Sequence, residues 1–146
     1  MTSKISLIDD LDSFDFEKYQ DLTLQISRVD KHDIDSEMVG FPQAYSYYYG
    51  LLVKAKSKVD VAKLNLEEHR AFFKSVTKAN STGKMTVETL ENLVNKDDTT
   101  KELNRIVLQA DEIYGLVKAI CNTLEHKKDM LVQLSANKRQ ETKLYQ

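Results

Sequence analysis

Between Phe41 and Val76 the side chains that avoid water recur at alternating steps of four and three: Phe41, Tyr45, Tyr48, Leu52, Ala55, Val59, Ala62, Leu66, His69, Phe73 and Val76. A strand would need a period of two, whereas this spacing keeps one stripe of a helix turned toward a partner helix. A second series obeys the same rule: Leu103, Ile106, Ala110, Ile113, Val117, Ile120, Leu124, Lys127, Leu131, Leu134 and Lys138. It is aliphatic until lysines enter near its end. With one proline and four glycines, the chain also lacks the residues that punctuate sheet proteins.

The one strong loop signal is Asn80-Ser81-Thr82-Gly83-Lys84. Pro42 suits the first turn of a helix, where its missing N–H costs nothing. Thr86 can cap a short helix, and Asp97 or Asp98 the next long one. The pattern predicts long helices over 41–79 and 98–142 and a short helix over 86–95. Upstream, Ser13 or Asp15 can cap a helix from Phe16 to Ile26, with Tyr19, Leu22 and Ile26 helically spaced. The expected fold is all-α: a long antiparallel hairpin or coiled coil (41–146) with a short connecting helix. An acidic N-terminal arm (1–40) precedes it, holding one marginal helix and partly disordered when alone.

Each long helix carries a second apolar edge. Tyr47, Tyr49, Leu51, Val61, Leu64 and Phe72 lie off the first seam, and Val107, Tyr114, Leu116, Cys121, Met130 and Val132 lie off the second. Such edges need another helix to cover them, so a homo-oligomer is expected. The core seam is assigned to Tyr48, Leu52, Val59, Leu66, Phe73, Ile106, Ile113, Ile120, Leu124 and Leu131.

The longest uncharged stretch, Met38 to Val53, is too short and too rich in tyrosine to span a bilayer. The acidic start lacks the basic region of a secretory signal, and the lone Cys121 fits a reducing cytosol. A cytoplasmic location is expected. Chemistry is harder to place. Ser81 to Thr86 resembles a phosphate loop only superficially, because Lys78 replaces its first glycine and Met85 its magnesium-binding hydroxyl. His32, Asp33 and Asp35 make too small a ligand set for a metal. No nucleophile–base set can be assembled. Neither an enzyme nor a cofactor is expected.

The net charge of −2 argues against a generic nucleic-acid coat until it is cut by segment. Residues 1–40 carry −6, residues 41–64 carry +3, residues 65–124 carry −1 and residues 125–146 carry +2. An antiparallel turn near residues 80–100 is expected to lay residues 41–63 alongside 125–143. Lys54, Lys56, Lys58 and Lys63 then share one end with Lys127, Lys128, Lys138, Arg139 and Lys143, and with Tyr45, Tyr47, Tyr48 and Tyr49. Cations for phosphates and rings for bases suit single-stranded nucleic acid. A plain solvated face with tyrosines in the core is the alternative left open by the residues themselves.

Ile34-Asp35, then Pro42, Tyr45 and Tyr48, then the run from Ala55 to Lys63, and later the run from Leu124 to Leu131, resemble the UvsY-type phage recombination mediators. The resemblance covers residues 34–140. It implies a helical protein that assembles into rings or similar homo-oligomers in the host-cell cytoplasm and binds single-stranded DNA. It also implies partnership with a RecA-like recombinase and a single-strand-binding protein in DNA recombination, repair and replication, without an active site. The family's basic and aromatic site before the interhelical loop would fall on Arg70, Phe72, Phe73 and Lys74, with Gly83 and Lys84 after it. Two other readings stand beside this one. A scaffolding coiled coil of a phage particle or tail assembly needs the same seams but no basic end; a small regulator would bind one partner helix.

Overall fold

The computed structural model describes residues 10–145, so the first nine residues of the acidic arm lie outside the described residues. The described chain is all-α, with α1 (Phe16–Ser27), α2 (Ile34–Asn80), α3 (Val87–Lys96) and α4 (Asp98–Leu144). It forms two compact units. One holds the chain through Ala55 and again from Ile113; the other holds Lys56–Glu112.

In the first unit, the Asp15 carboxylate caps α1 by accepting from the Lys18 N–H at 2.9 Å. Leu22 and Ile26, one turn apart, share the buried face of α1. They join Leu11, Phe14, Tyr48, Ala55, Ile113, Val117, Ile120, Cys121 and Leu124 in one core. The described part of the expected arm is thus built into the core, because its apolar residues fall on one face.

Helix α2 begins at Ile34, seven residues before the expected start. Ile34 stands one heptad before Phe41 and is buried, so the seam itself continues upstream. Asp35 and Glu37 in the first turn favour the start there. Pro42 consequently lies inside the helix, where it removes a donor to the Met38 carbonyl. Both residues are exposed, which leaves that carbonyl to water.

Helices α2 and α4 run antiparallel in this unit, and five polar contacts fix their register. The Cys121 Sγ lies 3.5 Å from the Tyr48 carbonyl. Tyr45 and Tyr49 hydroxyls donate to Glu125 Oε1 at 3.2 and 2.5 Å. Lys127 Nζ is 3.0 Å from Glu37, and Lys138 Nζ is 3.6 Å from Asp35. Lys127 is only 5% exposed and also donates to the Arg28 carbonyl at 3.3 Å, just beyond the end of α1. One ammonium therefore ties α1, α2 and α4 together.

In the second unit, α2 buries Val59 and Ala62, and α3 buries Leu90 and Val94. Thr86 caps α3, accepting from the Thr89 N–H at 3.1 Å. Asp97 ends α3 and starts α4. Its Oδ2 accepts from the Thr100 N–H at 2.9 Å and hydroxyl at 3.0 Å, and meets His69 Nε2 at 2.7 Å. His69 thus occupies its seam position as a polar latch. These bonds, His69 first, hold the Asp97 carboxyl below the usual carboxylate range. Two apolar seam positions are exposed, Val76 at 41% and Ile106 at 43%; Val107 is half-buried in place of Ile106. A 3.6-residue turn drifts against a 3.5-residue repeat, and here the drift moves the inward position by one.

Two outcomes follow from these contacts. Glu37→Ala leaves the Lys127 ammonium buried without its partner and should cost about 3 kcal/mol in chemical denaturation. Adding Lys127→Met should restore most of that loss. Asp97 has a depressed folded-state pKa, so its contribution is present above the unfolded value and fades as pH falls through the folded one. The melting-temperature gap between wild type and Asp97→Asn should be widest above about pH 5 and close in stronger acid.

Candidate nucleic-acid interface

Within the first unit, the observed register sets the early part of α2 beside the cations of α4. The segment of α2 facing residues 125–138 of α4 is the acidic and aromatic stretch from Asp35 to Tyr49. It is not the lysine-rich stretch that follows. Lys54 is exposed in the first unit, while Lys56, Lys58 and Lys63 belong to the second. Lys56 pairs with Asp60 at 3.1 Å, Lys58 is half-buried and Lys63 is exposed.

Lys127 is buried against Glu37 rather than open to solvent. Its place on the three-and-four spacing was the available signal, since that spacing marks inward positions. Lys128 and Arg139 are exposed, whereas Lys138 is exposed beside Asp35. From Ala136 to Tyr145 every residue of the chain is exposed. These last turns carry Lys138, Arg139 and Lys143, and end on Tyr145 at 92% exposure.

The tyrosines are structural. Tyr48 is fully buried, which pushes its hydroxyl pKa up, with the field of Tyr47 adding to it. Tyr45 and Tyr49 stack at 4.4 Å between ring centroids and converge on Glu125. That pair of donors lowers the Glu125 pKa, and the carboxylate in turn raises that of Tyr49. Rings engaged in this way are not presented to bases. Burial also pushes the Cys121 thiol up to about 11, so it is a buried apolar side chain with little thiolate.

The loop-end set has a different fate. Arg70 donates to Glu91 at 2.7 Å and to Asn95 at 3.1 Å, and Lys74 also bonds Glu91. Lys74 first, then Arg70, holds the Glu91 carboxyl low. Both cations therefore fasten α3 to α2. Phe73 is half-buried, Phe72 is 67% exposed, and Lys84 is exposed in the loop. Among the described residues no cluster of three or more His, Cys, Asp or Glu is placed to hold a metal ion. No described helix is long and apolar enough to cross a membrane.

In the second unit, α2 exposes Val61 and Leu64 at 53% each and Phe72 at 67%. Their spacing of three and eight residues puts them on one helical face. No family model matches this chain, and no curated protein or solved structure proves similar to it.

Proposed function

We propose that the protein is a homo-oligomeric accessory factor of DNA recombination that binds single-stranded DNA and helps a RecA-like recombinase displace a single-strand-binding protein. The observation that carries this reading is the uncovered end of α4. Its last turns hold Lys138, Arg139 and Lys143 in solvent with Tyr145 beside them. Cations track phosphates without regard to sequence, and an exposed ring offers a stacking surface to any base. The local resemblance to UvsY-type mediators, which runs through this same helix, points the same way. On this reading the protein acts in the host-cell cytoplasm and has no active site.

Oligomerisation gives the modest charge its effect. A ring or bundle repeats the α4 end once per subunit, so weak contacts add along one strand. Val61, Leu64 and Phe72 on α2 are the side chains offered for assembly. They also favour the second reading, a scaffolding coiled coil of a phage particle or tail, which would assemble without binding DNA.

Light scattering coupled to size exclusion should show an oligomer, and Leu64→Asp with Phe72→Asp should shift it to a lighter species that remains helical. Fluorescence anisotropy at low salt should show binding to a labelled single strand that weakens steeply as salt rises. Arg139→Glu with Lys143→Glu should weaken it by about tenfold or more while assembly survives. Assembly without any DNA affinity would select the scaffold.

A further inference from the structure

Two lysines of α4 meet carboxylates from the start of α2, and the pairs differ in kind. Lys127 and Glu37 are 5% and 18% exposed in their side chains, which puts them out of reach of a solution anion. Lys138 and Asp35 are 56% and 84% exposed at 3.6 Å, so water and ions reach both. Asp35 lies in the first turn of α2, where the helix end favours a negative charge whatever Lys138 does. The inner pair and the Tyr45–Tyr49–Glu125 contacts fix the register that brings Asp35 beside Lys138.

We infer that Asp35 is an internal competitor for the anion site at the end of α4, standing on Lys138 where a strand phosphate would stand. This rests on the single-strand-binding reading and adds a determinant of selectivity to it. An exposed pair is weak, so displacing it costs little to a ligand already held elsewhere. A polyanion engaged on Arg139 and Lys143 meets that cost once and gains Lys138. A small or sparse anion touching only Lys138 gains almost nothing. The carboxylate therefore biases the site toward a continuous phosphate backbone and raises the threshold for loose association.

The test uses the full chain and a fluorescein-labelled oligo(dT), with anisotropy read at low salt. Asp35→Asn should bind two- to fivefold tighter than wild type, roughly the range of one exposed ion pair. Asp21→Asn removes the same charge from an exposed position on α1 and should change affinity less. The gain from Asp35→Asn should vanish when Lys138→Gln is also present. Equal gains for Asp35→Asn and Asp21→Asn would overturn the inference, as would a gain that persists with Lys138→Gln. If wild type and both aspartate variants fail to bind, the single-strand reading falls and this inference with it. A circular-dichroism melt of each variant separates these outcomes from loss of fold.

Discussion

The Lys127 ammonium decides how the first unit is put together. It sits at an inward position of α4, reaches Glu37 on α2 and the carbonyl that follows α1, and is almost wholly buried. Aliphatic seams are tolerant of slippage, because one leucine layer packs much like the next. A buried charge is not: moved one heptad on, to Ala44, it meets no carboxylate and carries its full desolvation cost. A single polar residue on an apolar seam is a well-attested means of fixing register. Glu125, accepting from Tyr45 and Tyr49, fixes the same alignment two residues away on α4.

That alignment settles the electrostatics. The acidic entry of α2 lies beside the basic half of α4, so Asp35 and Glu37 neutralise part of the charge carried by Lys127 and Lys138. What stays available lies past the last half-buried residues, where α4 runs on in solvent with Arg139 and Lys143. The net charge of −2 is thus an incomplete guide to binding. Much of the negative charge is local, and some of it is paired with the cations it appears to cancel.

The elements themselves were readable from the sequence. Thr86 caps its helix as expected, and of the paired candidates Asp15 rather than Ser13 and Asp97 rather than Asp98 do so, because a short polar side chain before an apolar-periodic run has a specific job. The seam from Tyr45 to Phe73 is inward throughout, since a heptad repeat names its own buried face. The register was not readable. It depends on how many residues α3 and its flanking turns consume, and on pairings such as Glu37 with Lys127 that lie far apart in the chain. Pro42 misled because proline favours a first turn, and here the helix runs through it with the Met38 carbonyl left to water. The pairing of Arg70 and Lys74 with Glu91 was not readable either, because it joins residues on different helices.

Zero-length carboxyl–amine crosslinking, read by mass spectrometry on mixed isotope-labelled chains, tests the register most directly. The account predicts a within-chain link between Asp35 and Lys138, the exposed pair at the aligned end of α2 and α4. Links joining Asp60 to Lys127 or Lys128 instead, with none from Asp35 to Lys138, would put the lysine-rich stretch of α2 beside the basic half of α4 and contradict it.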